Sequence, residues 1–182
     1  NYTLPKNTTE WIADESGQLI QNPDYLLFDD IISPGGMANE HNELENVLTS
    51  FTGKDHTYQF SDILVDTLQT PEQRQELYSV CSTLDKKLYG TENSVEAQQV
   101  LDLETSDFAT ALLSGRIAKP ALKTVFKWPL PNLIFTRDIA VVLNNALILT
   151  WGRWPARQRE MLLMKHVDKE HPLVSGFPQF AV

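Results

Sequence analysis

The sequence predicts a mixed α/β fold, and three patterns predict it. Between residues 61 and 118 short apolar stripes at helical spacing recur, each with its own start and stop residues. Between 139 and 150 two apolar runs flank Asn144-Asn145, as in a β-hairpin. Pro155 then opens one long helical pattern reaching about residue 169. Both element types are therefore required in one chain.

Taken in order, the N-terminal stretch, to about residue 35, reads as irregular, with Pro5, Pro23, Pro34 and the pair Gly35-Gly36. It holds one apolar block, Tyr25-Leu26-Leu27-Phe28, followed by Asp29-Asp30. From 37 to 51 the spacing is helical, with Met37, Leu44, Val47, Leu48 and Phe51 on one stripe and Gly53 as the stop. Residues 57–60 are a strand candidate, Tyr58 and Phe60 sharing a face. Ser61 reads as the cap of a short helix. Thr70-Pro71-Glu72-Gln73 is a full start signal: capping threonine, proline at the first helical position, and a glutamine that completes a capping box. Leu77, Val80, Cys81, Leu84 and Leu88 form that helix's apolar stripe and Gly90 ends it. Ser94 is expected to cap a short helix to about residue 103. Ser106 is expected to cap another, with Phe108, Ala109, Leu112 and Leu113 inward and Gly115 as terminator. Residues 126–133, carrying Trp128, Pro129 and Pro131, read as a stiff extended segment. The end, 177–182, reads as a strand, and a chain that opens on Asn1 and stops in a strand is expected to be part of a longer protein.

Composition narrows the function. With 24 acidic and 15 basic residues the net charge is −9, which argues against a general nucleic-acid binder. Apolar runs reach only about five residues where a membrane-spanning helix needs ~20. Cys81 is the single cysteine, so an internal disulfide and a cysteine-based metal cluster are excluded. No signal-peptide pattern opens the chain, so the glycosylation-type triplets at Asn1 and Asn7 carry little weight, and a cytoplasmic, reducing setting fits.

Few residues offer chemistry. Cys81 sits mid-helix on an apolar stripe and reads as a packed core residue. His41, His56, His166 and His171 lack paired metal-ligand spacing and read as solvated, His41 as half-buried. Asp29-Asp30 fits a solvated strand end, and Gly35-Gly36 a turn. The dense block is 128–138, Trp-Pro-Leu-Pro-Asn-Leu-Ile-Phe-Thr-Arg-Asp. On a strand, Asn132, Thr136 and Asp138 share one face and Arg137 takes the other. That register fits a lined pocket and equally a strand end with a polar rim.

The run 131–138, Pro-Asn-Leu-Ile-Phe-Thr-Arg-Asp, resembles the Pro-Asn-Leu-aromatic-Phe-Thr-Arg-Asp signature of arginine deiminases, in the guanidine-modifying enzyme (amidinotransferase) superfamily. Leu26 to Ile31 is similar to that family's Leu-Phe-Asp-Asp segment, Glu40-His41 to its Glu-His pair, and Trp154 to Glu160 to its Arg-x-Arg-Glu helix start. The resemblance implies part of a five-bladed α/β propeller, the pentein fold, built of ββαβ units. Residues 1–60 would be its N-terminal part, 61–118 a helical insertion, and 119–182 a blade carrying the signature.

The resemblance also implies an arginine-to-citrulline hydrolase working through a cysteine-bound amidino intermediate. The family's catalytic His and Cys belong to its C-terminal half, so no catalytic residue is expected in this chain. Asp138 would hold the guanidinium of a small guanidino substrate, arginine. Asn132 would hold its amino-acid end and Arg157 its α-carboxylate. Neither cofactor nor metal is implied, no nucleic acid or membrane partner is expected, and a homo-oligomer is possible. An amidinotransferase of the same superfamily, or a non-catalytic module built on the helical cluster, are the alternatives. One local feature bears on Arg157. A cation in the first turn of a helix opposes the helix dipole and needs a compensating partner.

Overall fold

The computed structural model describes residues 9–26, 33–90, 95–118 and 121–181. The chain is a mixed α/β structure of seven short strands and six α-helices among those residues. In order these are β1 (Trp11–Ala13), β2 (Leu19–Gln21), α1 (Pro34–Thr52), α2 (Phe60–Asp66), α3 (Pro71–Tyr89), α4 (Ala97–Leu101) and α5 (Thr105–Ser114), then β3 (Arg116–Ile117), β4 (Lys123–Thr124), β5 (Ala140–Leu143), β6 (Ala146–Leu149), α6 (Pro155–Glu170) and β7 (Gln179–Ala181). Single 3₁₀ turns cover Lys54–His56 and Thr136–Asp138.

The N-terminal stretch is less irregular than its prolines suggest. β1 and β2 pair antiparallel around Asp14, whose Oδ1 accepts from the main-chain N–H groups of Ser16 and Gln18, while Gly17 takes φ 82°. Asp and Gly within a five-residue loop are turn chemistry that outweighs the weak strand pattern on either side. The strand expected at 57–60 is absent: 57–59 are irregular and Phe60 opens α2. Ser61 therefore lies inside α2, behind Gln59 at the N-cap. Ser106 is likewise inside α5, which starts behind Glu104. Neither cap makes a side-chain bond, so packing rather than capping sets these starts. The Ser94 cap lies outside the described residues.

Thr70 and Gln73 form the reciprocal capping box of α3, and Gly90 closes it in the left-handed conformation. On its inner face Tyr78 and Asp85 are buried, whereas Val80 is exposed. The stripe of α1 behaves oppositely to expectation. Met37, Leu44, Val47, Leu48 and Phe51 are all exposed, Phe51 to 86%.

One core joins Leu64 of α2, Leu68 just beyond it, Leu77 and Cys81 of α3, Phe108 and Leu112 of α5, Phe126, Ile139, Leu147 of β6 and Leu163 of α6. Gly115 is fixed at the entry to the following segment. It takes φ 72°, and an added Cβ would lie 2.9 Å from the Trp128 carbonyl oxygen, so no other residue fits without a shift. Its carbonyl accepts from the N–H groups of Val125 and Phe126.

The hairpin expected at 139–150 is present, β5 pairing with β6 from Ala140↔Leu149 to Leu143↔Ala146. Only Asn144 takes positive φ, 56°, in its two-residue turn. After α6 the chain returns as β7, parallel to β6. Strand order β5-β6-β7 with α6 as the crossover makes one ββαβ unit. No described helix is long and apolar enough to cross a membrane.

Candidate functional site

Residues 132–138 do not form the strand on which their even spacing was read. Asn132 begins a turn closed by Phe135 N–H on the Asn132 carbonyl (3.0 Å), and a 3₁₀ turn, Thr136–Asp138, follows directly. Pro131 offers no N–H to a ladder and asparagine favours the first position of a turn, which is the physical reason the strand fails. Turn geometry, not register, sets the neighbours. Asn132 is buried, whereas Thr136, Arg137 and Asp138 are exposed. Asp138 is anchored through its main chain, Thr150 Oγ1 at the end of β6 donating to its carbonyl.

Arg157 comes to the same place from the first turn of α6. Its Nη1 donates to Asp138 Oδ2 at 2.6 Å, its Nη2 to the Asn132 carbonyl at 3.3 Å, and its Nε to Glu160 Oε2 at 2.9 Å. Nη2 also lies 2.9 Å from Glu160 Oε2. Gly152 makes room for it: a Cβ there would sit 3.3 Å from Arg157 Cβ and 3.1 Å from Met161 Cε. Asn132, Asp138 and Arg157, separated by up to 25 residues, are thus one cluster.

Glu160 joins them. It is 0% exposed; Oε1 accepts from Asn132 N–H (2.9 Å) and Oε2 from Arg157. Burial pushes its carboxyl above the usual range, against the opposing pull of the Asn132 N–H and the Arg157 charge. Burial likewise works against the Arg157 charge, but the Asp138 and Glu160 carboxylates outweigh it and hold its pKa above the ordinary value. These two acids are the compensation that a cation at a helix N-terminus requires. Asn132 Nδ2 reaches the Leu26 carbonyl at 3.4 Å, tying the cluster to the segment before Leu27.

Glu160 was not singled out from sequence. Its signal is the i,i+3 step from Arg157 on one helix face. Arg159, in the same Arg-x-Arg-Glu start, was given no role either. It is buried, stacks 4.4 Å from the Phe126 ring centroid, donates from Nη2 to the Trp128 carbonyl (2.6 Å) and faces Asp85 at 3.7 Å. It fixes the 126–131 segment from beneath.

The remaining candidates fall elsewhere. Cys81 is fully buried, and burial pushes its thiol up to about 12, as a core residue's would be. His56 is exposed and His41 half-buried, but His166 and His171 are buried, contrary to their reading as solvated. His166 Nε2–H donates to the Thr67 carbonyl (3.1 Å), and His171 Nδ1 accepts from Leu173 N–H (3.2 Å). Backbone partners, Thr67 across the α2–α6 seam for His166 and Leu173 two residues on for His171, outweigh the usual preference of histidine for the surface. Glu40 and His41 lie on α1, Glu40 exposed. Asp29 and Asp30 lie outside the described residues. Among the described residues no group of three His, Cys, Asp or Glu side chains is placed to hold a metal ion.

A family model for arginine deiminase matches residues 24–181. The chain is similar to the arginine deiminase of Limosilactobacillus fermentum (strain NBRC 3956 / LMG 18251), 26% identical over 179 residues covering 88% of this chain and 44% of that protein. It is similar to the arginine deiminase of Staphylococcus aureus (strain Newman), 26% identical over 175 residues covering 86% of this chain and 42% of that protein. The chain therefore spans less than half the length of these curated relatives. The family match takes in every member of the Asn132–Asp138–Arg157–Glu160 cluster and most of the chain around it, and on that match the chain belongs to the arginine deiminase family.

Proposed function

We propose that this chain is the N-terminal, substrate-binding portion of an arginine deiminase-like hydrolase, whose nucleophilic cysteine and catalytic histidine lie in a further segment. The observation that carries the reading is the convergence of Asn132, Asp138 and the buried Glu160 carboxylate on the Arg157 guanidinium. A carboxylate suits a guanidinium because two oxygens meet the planar fork with charge-assisted bonds. An arginine suits an α-carboxylate for the same reason. Asp138 takes the guanidinium of the substrate, Arg157 its α-carboxylate, and Asn132 contributes to the amino-acid end.

The chemistry follows from holding a guanidinium still. A thiolate adds to its central carbon, the C–N bond to a terminal nitrogen breaks, and that nitrogen takes a proton and leaves as ammonia. Water then adds to the sulfur-bound amidino carbon, the C–S bond breaks, and citrulline and thiolate are released. Asp138 acts in both halves by fixing the carbon and sharing the charge.

In this reading the ββαβ unit β5-β6-α6-β7 is one blade of the five-bladed propeller, residues 1–60 its N-terminal part and 61–118 a helical insertion. Two exposed apolar surfaces support a larger assembly. Val141, Val142 and Leu143 lie open on the edge strand β5, and the α1 stripe is uncovered. An apolar edge and an apolar helix face belong against further structure. The test is arginine turnover. A full-length protein should release citrulline and ammonia in equal amounts and the 182-residue chain neither. Arginine turnover by the chain alone would contradict the placement of the nucleophile.

A further inference from the structure

Arg157 has two carboxylate partners, and they differ in kind. Glu160 is inaccessible to solvent, and both its oxygens are engaged, Oε1 by Asn132 N–H and Oε2 by the Nε and Nη2 of Arg157, all at 2.9 Å. Asp138 is held through Nη1 alone, and its side chain is 51% exposed. A buried, doubly bonded partner is costly to leave, whereas a half-exposed single bond is readily exchanged for water or another anion. The two edges of one guanidinium are thus a fixed edge and an exchangeable edge. If Glu160 served only to offset the helix dipole, a solvated acid in the first turn would suffice. Its burial and its second bond, to the main chain of Asn132, tie both polar residues of the cluster to one carboxylate.

We propose that Glu160 is the positioning residue of this site: it grips Arg157 by the Nε/Nη2 edge so that Nη1 alone trades Asp138 for the carboxylate of an amino-acid substrate. The proposal rests on the reading that Arg157 meets that carboxylate. Glu160 itself touches no substrate. It acts through Arg157, and it makes the site selective for guanidines that carry an α-carboxylate over those that lack one.

The experiment uses the full-length protein with arginine and with decarboxylated arginine, by turnover or, for a poor substrate, by competitive inhibition. Glu160→Gln keeps the volume and an acceptor for Asn132 N–H but removes the charge that grips Arg157. KM for arginine should rise about tenfold to a hundredfold, the value of one charge-assisted hydrogen bond. Changes in kcat should be smaller, and the affinity for decarboxylated arginine should hold. Arg157→Ala should show the same selectivity, and Glu160→Gln should add nothing in that background. A selective loss in Arg157→Ala without one in Glu160→Gln overturns the role of Glu160 and leaves the substrate-binding reading standing. An equal loss for both ligands in Arg157→Ala overturns that reading and the proposal with it. Should Glu160→Gln not fold, Arg157→Lys decides: it keeps the charge but has no second edge for Glu160 to hold, and an unchanged KM for arginine overturns the proposal.

Discussion

Arg157 Nη1 lies 2.6 Å from Asp138 Oδ2, so the two residues assigned to opposite ends of an arginine substrate are paired with each other. One guanidinium occupies the place that another is proposed to take. Because Asp138 is half-exposed, the pair contributes little to stability, on the order of 0–1 kcal/mol. Substrate entry then exchanges one guanidinium for another and moves Arg157 Nη1 to a new carboxylate, with no charge left unpaired.

Removing Asp138 therefore separates function from folding. In the full-length protein, Asp138→Ala should lower kcat/KM by roughly two to four orders of magnitude, corresponding to ~3–5 kcal/mol for a desolvated pair that loses one partner. Asp138→Asn should be nearly as damaging, since it keeps the shape and loses the charge. Urea unfolding of the 182-residue chain should shift by less than about 1 kcal/mol in either variant. A full-length protein that unfolds on this substitution, with normal turnover in the surviving folded fraction, would make Asp138 a structural acid.

Glu160→Ala should do the reverse to the chain's stability. It strips the buried Asn132 N–H and Arg157 Nε of their acceptor at once and leaves Nη2 only the Asn132 carbonyl. A loss of ~3–5 kcal/mol in denaturant unfolding is expected, against a protein whose whole stability is typically ~5–15. A shift below about 1 kcal/mol would show that water replaces the carboxylate freely.

Cys81 should be inert while the chain is folded. Its thiol, pushed up to about 12 and fully buried, carries almost no thiolate at pH 8. Alkylation should follow the rate of opening and become fast only in denaturant. Cys81→Ser should leave the activity of a full-length form intact while costing about 1–3 kcal/mol for a buried hydroxyl. Rapid labelling of the native chain would contradict this.

His166 should give the chain a pH dependence of known sign. Burial holds its pKa below the ordinary 6.5, so the unfolded chain binds the proton more readily. The contribution is present above 6.5 and is lost as pH falls from there through the lower folded value. The Thr67 carbonyl, Glu170 and Glu76 oppose the shift, and Lys169 reinforces it. Comparing wild type with His166→Gln between pH 7 and 5 should remove this part of the slope, and identical slopes would assign the pH dependence to other groups.

Elements with complete local signals were legible in the sequence. The Thr70–Gln73 box, the Asn144-Asn145 hairpin, Gly90, Gly115 and the Pro155 start all carry their own backbone chemistry. Ser61 and Ser106 misled because packing moved each helix start past the nearest capping residue. The α1 stripe was read correctly as periodicity, but periodicity does not say what covers a face. The resemblance pointed to Asn132, Asp138 and Arg157, which the structure brings together, but not to the geometry that does so. Even spacing suggested a shared strand face; a turn at Asn132 and a helix that carries Arg157, 19 residues beyond Asp138, brought them together instead. Glu160 closes the Arg-x-Arg-Glu start but was given no role, because a glutamate in a charged helix resembles a solvated one until its burial is seen.

The most direct measurement is a crystal structure of the full-length protein with a non-reacting arginine analogue bound. The guanidinium of the analogue should lie on the Asp138 carboxylate, its α-carboxylate on Arg157 Nη1, and Glu160 should still hold the Nε/Nη2 edge. An analogue bound elsewhere, with Arg157 and Asp138 still paired at 2.6 Å, would contradict the account.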